Sequence, residues 1–513
     1  MRKTITNFLI SKKYIIFCFV FMVLNIFFIS KSSKYYDLVI FSPIFFIIII
    51  GLIIIELLLL FYINKKIKKK YPIEKIFLLI IIPIGLLFMI FLPLGQIPDE
   101  KAHFARSYAI TEGYLNSKVN KDNLGYAPMP LKVVKTIVDQ DEDKLKANYN
   151  NISKNYSEEI TDIYFTNTSL YNFIVYIPQV VGIIIGKILH LPITIIAYLA
   201  RLFNFATYVI LLYFSIKNLP FLKEYAFFLA MLPISIQEGV SLAPDALAIS
   251  LSCFLISYIL KLKYSNHEKI KNKDLVILSV SSIICCLCKI VYFPIILFSF
   301  ILPVEKFNSK KDKYIKLSIL LIACLIINGL WTIYATRYLA ETNPGVNSTE
   351  QIKYVLSSPF SFLGILFKTV CYKIAEYTYG LFGRMLSLLS VDVGRFYPIF
   401  TFIVMMYLTI KNRINENIIS KKIKYVSLLI IVMVVGLIFS SLYVQWNPLK
   451  NKVIEGAQGR YFIPILMLVP IIFMKSKDNN SIIKIEFDDK KYLLSYIVFK
   501  CINALGFIIM SGL

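Results

Sequence analysis

The chain alternates long apolar runs with short polar breaks. Runs at about 14–30, 38–63, 76–94, 192–216, 224–241, 244–261, 314–336, 396–410, 425–443, 461–475 and 492–511 lie near the roughly 20 residues that an α-helix needs to cross a bilayer. The breaks between them assign sides. Segment 64–75 holds six lysines, and 261–274, 305–316 and 411–424 hold five basic residues each. The positive-inside bias places all four in the cytoplasm, together with the N-terminus and its Arg2, Lys3, Lys12 and Lys13. Segment 95–168 carries eleven acidic against nine basic residues, so it is expected outside. Counting crossings then leaves both ends of the apolar run 169–190 outside and both ends of 275–304 inside. Each is expected to be re-entrant or interfacial, the second turning near Lys289, because irregular backbone at membrane depth is tolerated where protein covers it. The fold class expected is all-α and polytopic, with about 13 membrane helices including short or re-entrant ones.

Composition narrows the picture further. A hydrophobic content of 58% over 513 residues, with a mean hydropathy of +0.69, excludes an ordinary soluble globule. The net charge of +25 would suit nucleic acid, but its lysines sit in the loops between spans, so no nucleic-acid partner is read. Seven of the eight cysteines lie in apolar runs and only Cys371 falls in a loop, which implies no disulfide framework. Cys285 and Cys288 form a C-x-x-C without a second pair, and read as small buried side chains. The run after Lys12-Lys13 lacks a small-x-small cleavage pattern and reads as a retained first span. The organisation expected is N-terminal spans over 1–75, a membrane core over 76–475 with external segments 95–168 and 337–395, and a cytoplasmic loop plus last span over 476–513. No internal repeat is found, so the inverted-repeat signature of many transporters is missing.

Against this apolar background, clustered ionisable groups stand out, and inside a membrane such groups are functional hypotheses by default. Pro98-Asp99-Glu100-Lys101-Ala102-His103-Phe104-Ala105-Arg106 follows a span end. Pro98 suits the first turn of a helix, which would put Asp99, His103 and Arg106 on one face. One reading is a carboxylate base facing a membrane-embedded pocket with His103 or Arg106 beside it. The structural alternative is a helix N-terminus with charge pairs in the headgroup zone. Gln237-Glu238-Gly239-Val240-Ser241-Leu242-Ala243-Pro244-Asp245 joins two spans on the same expected face, with Asp245 as a substrate contact or a helix-start carboxylate. Lys289 stands alone in an apolar hairpin, either snorkelling or holding a phosphate. In Glu455-Gly456-Ala457-Gln458-Gly459-Arg460-Tyr461, the glycines would let a ligand approach and Arg460 would grip a phosphate bidentately. Arg201, Arg337, Arg384 and Arg395 are weaker candidates of that type. Tyr126, Tyr149, Tyr156, Tyr164 and Tyr171 are candidates for stacking on sugars.

Pro98-Asp99-Glu100-x-x-His103-x-x-Arg106, Pro244-Asp245-Ala246 and Gln458-Gly459-Arg460-Tyr461 together resemble the recurring motifs of a bacterial membrane family known as domain of unknown function twenty-one forty-two, over roughly residues 76–475. That family resembles the GT-C glycosyltransferases. What the resemblance implies is transfer of a sugar from a polyprenyl-phosphate-linked donor to a cell-envelope glycan or other acceptor, at the external face of the plasma membrane. Asp99 or Glu100 would be the catalytic base, with His103 beside it, and Arg106, Asp245, Lys289, Gln458, Arg460 and Tyr461 would bind substrate. No cofactor is required by that scheme, and a metal-assisted form would use Asp99, Glu100, His103 and Asp245 as ligands to a divalent ion. The rival reading is a lipid-linked oligosaccharide flippase or other transporter, in which the same charges line a pathway.

Overall fold

The computed structural model describes residues 13–27, 43–133, 158–265, 269–338, 345–382, 396–414, 419–474 and 490–512. Among them, seven helices are long and apolar enough to cross a membrane: Phe46–Lys68, Ile73–Phe91, Ile193–Asn218, Asp245–Tyr264, Lys310–Tyr338, Lys421–Gln445 and Lys490–Ile509. An eighth is added if Ser348–Ser357 and Pro359–Phe382, bent by 106° at their junction, count as one span. The expected number of about 13, which included short and re-entrant helices, is not confirmed by the seven or eight span-length helices among the described residues. Among the described residues, shorter apolar pieces include Phe173–Ile188, Ile290–Ile301 and Gly459–Phe473.

The helices are named in chain order: α1 Lys13–Phe27, α2 Pro43–Lys68, α3 Ile73–Phe91, α4 Glu100–Thr111, α5 Ile177–Ile188, α6 Ile193–Asn218, α7 Lys223–Ala230, α8 Pro233–Gly239, α9 Asp245–Tyr264, α10 Asn272–Cys288, α11 Lys310–Ala335, α12 Ser348–Ser357, α13 Pro359–Phe382, α14 Phe396–Ile414, α15 Lys421–Gln445 and α16 Lys490–Gly512. The run 224–241, expected to cross as one helix, is instead α7 and α8, of eight and seven residues. Its break has a local cause. Proline disfavours helical backbone in the residue before it, and Leu232, preceding Pro233, is extended at φ −61° and ψ 132°. The run 275–304 breaks at Lys289, which is extended at φ −156° and ψ 121° between α10 and the 3-10 helix Ile290–Ile301. That 3-10 helix packs on both α10 and α15.

One small sheet stands beside the otherwise mostly helical fold of the described residues. Strands β1 Lys118–Val119, β2 Gly125–Pro130 and β3 Ile160–Tyr164 pair antiparallel in that order, with Lys118, Tyr126 and Tyr164 in register. Strands alternate sides, and along β2 Gly125, Ala127 and Met129 are buried while Tyr126, Pro128 and Pro130 are partly open.

Two polar side chains hold the turn between α8 and α9 that matters below. Asn204 of α6 donates to the carbonyls of Ser241 (2.8 Å) and Ala243 (3.2 Å), and Gln179 of α5 donates to that of Leu242 (3.2 Å). At the chain's ends, the Asn25 amide of α1 donates to Glu56 of α2 (3.3 Å) and to the Phe499 carbonyl of α16 (3.2 Å). Those three helices are thereby tied together.

Candidate functional site

The site begins with a clamp between α3 and α4. Arg201 of α6 is fully buried and donates through Nε and Nη2 to the Glu100 carboxylate (2.8 and 2.6 Å), and through Nη1 and Nη2 to the carbonyls of Met89 (3.2 Å), Leu92 (2.7 Å) and Pro93 (3.0 Å). Glu100 also accepts from the Gly95 amide at 2.8 Å. This fixes where α4 starts. Helix α4 begins at Glu100, two residues later than the proline pattern suggests, and Asp99 is its N-cap in the left-handed region at φ 64°. Aspartate is among the few residues that adopt that conformation readily.

So placed, Asp99 meets Arg460 from the far end of the chain. Arg460 Nη2 donates to Asp99 Oδ2 at 3.4 Å and Nη1 donates to Glu238 Oε1 at 3.0 Å, so one guanidinium joins α4, α8 and the 3-10 helix Gly459–Leu468. Gln237 Nε2 also donates to Glu238 Oε1, at 3.2 Å. A second ion pair lies close by, where Lys289 Nζ reaches Asp245 Oδ1 at 2.5 Å and stands 4.3 Å from the centre of the Tyr461 ring. The Tyr292 hydroxyl donates to the Tyr461 carbonyl at 3.0 Å, which holds that ring under the lysine. His103 pairs through Nδ1 with the Tyr176 hydroxyl at 2.8 Å and has the Tyr171 ring edge-on at 5.5 Å. Burial pushes its imidazole down to about 4, against the opposing pull of Asp99 and Asp245. At neutral pH His103 is therefore an uncharged hydrogen-bonding group.

Beside Lys289 and Tyr461 opens a cavity of about 300 Å³. Its walls are the C-terminal ends of α11 and α15 and the start of the 3-10 helix after Lys289, and they are mainly apolar, with Leu287, Val291, Trp331 and Leu442 among them. Polar atoms reach it from Tyr171, Lys289, Asn328, Ser441 and Gln445. An ammonium has three donors, and Asp245 takes one of those on Lys289.

Several of the expected site residues are held by structural contacts. Glu100 is sealed against Arg201 with no exposed side-chain surface, so its carboxylate is committed to that ion pair. Arg106 is fully buried and donates to the carbonyls of Tyr114 (3.0 Å) and Leu115 (2.6 Å), holding the segment just past the end of its own helix. Gln458 is exposed, and its carbonyl accepts from the Tyr461 amide as the 3-10 helix begins. The metal set Asp99, Glu100, His103 and Asp245 is not assembled: among the described residues no three such side chains stand close enough to hold an ion, and Glu100 is committed to Arg201. Arg337 lies over the Tyr334 ring at 3.8 Å, Tyr126 pairs with Tyr164, and Arg384, Arg395, Tyr149 and Tyr156 fall outside the described residues. Glu238, fully buried at the centre, was present in the motif but not singled out. Its signal was a carboxylate inside an apolar run, the same one that marked Lys289.

The two glycines before Arg460 also acquire a structural reason in place of ligand approach. Gly456 has φ +89°, and a Cβ on Gly459 would fall 2.2 Å from the Leu381 amide nitrogen and 2.6 Å from the Tyr377 carbonyl oxygen of α13. Both contacts are backbone and cannot swing aside. Gly459→Ala is expected to cost about 1–3 kcal/mol by overpacking and to displace Arg460. Gly436→Ala on α15, where a Cβ meets nothing within 4 Å, is the control. Thermal unfolding in detergent reads both, and equal melting of the two variants would remove this account of Gly459.

No curated protein and no solved structure matches the chain. The model of a family described as a predicted membrane protein, DUF2142, matches residues 82–469, the stretch that contains Asp99, Glu238, Asp245, Lys289 and Arg460, and the chain belongs to that family.

Proposed function

We propose that this chain is a membrane glycosyltransferase of the GT-C kind, moving a sugar from a polyprenyl-phosphate-linked donor to a cell-envelope acceptor at the outer face of the plasma membrane. The observation that carries the reading is the meeting of Asp99, Glu238, Asp245, Lys289 and Arg460 beside a mainly apolar cavity. An apolar wall with a cation at one end suits a lipid tail with an anionic head. Lys289 lines the cavity, so it is the cation for the carrier phosphate. Both terminal nitrogens of Arg460 are engaged by carboxylates, so its role here is to position Asp99 and Glu238.

In the reaction, Asp99 takes the proton of the acceptor hydroxyl, the hydroxyl oxygen forms the new bond to the anomeric carbon, and the carbon–oxygen bond to the carrier phosphate breaks on the opposite side with inversion. Lys289 meets the charge that develops on the departing phosphate.

Binding tests the donor half directly. A short-chain prenyl phosphate added to the purified protein is expected to bind about tenfold to a hundredfold more weakly to Lys289→Met, the worth of one charge-assisted hydrogen bond. Unchanged affinity would remove Lys289 from the phosphate site. Sidedness has its own check: Asn123, exposed in the turn between β1 and β2, replaced by cysteine is expected to react with an impermeant reagent in intact cells. Reaction only after the cytoplasmic face is opened would put the site in the wrong compartment.

A further inference from the structure

Helix α12 meets the span-length helix α13 at 106°. A helix at nearly a right angle to a span lies close to the membrane plane, and its ten residues divide into three sides. Successive residues turn roughly 100° about the axis. On the first side, Gln351 is fully buried, its Nε2 donating to the Tyr443 carbonyl (3.2 Å) and its Oε1 accepting from the Lys450 amide (3.0 Å). Tyr354 and Val355 pack on the same side, against the cluster of Phe362, Phe439 and Tyr443. The second side carries Ile352 and Leu356, the latter 76% exposed. The third carries Glu350 and Lys353, paired to each other at 2.7 Å with most of the lysine side chain open.

The apolar side does not stop at the bend. Ile352 and Leu356 are followed beyond the bend by Phe360, Leu363 and Phe367, all exposed and spaced by three and four residues along α13. Exposed apolar residues thus continue from α12 onto α13, and the two helices together are apolar enough to count as a span. Protein, apolar and charged sides in this order are what a helix seated at a membrane interface presents.

We propose that α12 is an interfacial helix, seated on the bilayer with Ile352 and Leu356 among the upper acyl chains and Glu350 and Lys353 in water. Its partner is the phospholipid surface, argued from the continuity of its apolar side with that of α13. Trp446, exposed at the end of α15, stands where an interfacial aromatic belongs. The bond from Gln351 to Tyr443 ties this plane to α15, whose next residues Leu442 and Gln445 line the cavity. The cavity thus meets the bilayer at headgroup depth.

The test needs no substrate. Cysteines at Ile352, Leu356 and Lys353, in full-length protein carrying Cys371→Ser, are labelled with bimane and reconstituted in phosphatidylcholine vesicles. Each of the three side chains is exposed, so a label displaces no packing. Labels at 352 and 356 are expected to be quenched several-fold more strongly by phospholipids brominated near the glycerol end than by aqueous iodide, and the label at 353 in the reverse order. Iodide quenching at 356 equal to that at 353 would put α12 in water. Quenching at 353 by bromines near the chain ends would make α12 part of a membrane-buried segment. Shielding of 356 from both agents would mean a protein partner. Any of the three overturns the proposal.

Discussion

Asp99→Asn is expected to slow sugar transfer in vesicles by about a hundredfold to ten-thousandfold, the usual contribution of a general base. Three observations separate this variant from a folding defect. The Asp99 side chain is 47% exposed, so little packing depends on it. Its backbone sits at φ 64°, a conformation that asparagine tolerates as well as aspartate does. Its contact with Arg460 is long, at 3.4 Å, and an amide oxygen can still accept there. What the variant removes is the ability to take a proton. Protein level and melting should therefore match wild type while transfer collapses. Transfer at the wild-type rate would end the role of Asp99 as base and move the transport reading ahead, because a pathway lined by polar groups does not need a proton acceptor there.

The contrast with Glu100 shows what the sequence could and could not carry. Two adjacent carboxylates after a span end were legible as a site, and helix spacing favoured Asp99 through the face it shares with His103, without showing what holds Glu100. The distinction comes from Arg201, a residue 101 positions away that claims Glu100 completely and leaves Asp99 at the mouth of the helix. The same holds for Arg460 and Glu238, whose pairing across 222 positions has no trace in spacing or periodicity. Motifs mark which residues are unusual for their surroundings; partners are set by how helices pack. Helix breaks were more accessible. Pro233 disfavours helical backbone at Leu232, whereas hydropathy alone reads 224–241 as one crossing, and tertiary packing supplies the cover that lets such a break persist inside a membrane. The sheet was harder, because three prolines and glycines in Gly125–Pro130 disguise its alternation as loop.

Arg201→Met is expected to be among the most destabilising single changes in the protein, at about 3–5 kcal/mol, because it leaves a charged carboxylate buried without its partner. Guanidinium offers five N–H donors, and the bonds to Glu100, Met89, Leu92 and Pro93 use all of them. Removing it strips the carbonyls at the end of α3 as well as the carboxylate that starts α4, so the defect reaches the backbone that presents Asp99. Glu100→Gln keeps the shape and the Gly95 contact but strands the cation, and should also lower the melting temperature in detergent. Combining the two removes both charges at once. The double variant should then be less destabilised than the sum of the singles, by an interaction energy of about 0.5–3 kcal/mol. Arg201→Lys is not a rescue, since an ammonium has three donors and no planar fork. Thermal unfolding followed by size-exclusion chromatography of the four proteins measures the cycle. Additive losses, or an Arg201→Met protein that melts with wild type, would show that the clamp does not hold α3 and α4 together, and that Asp99 is positioned by Arg460 alone.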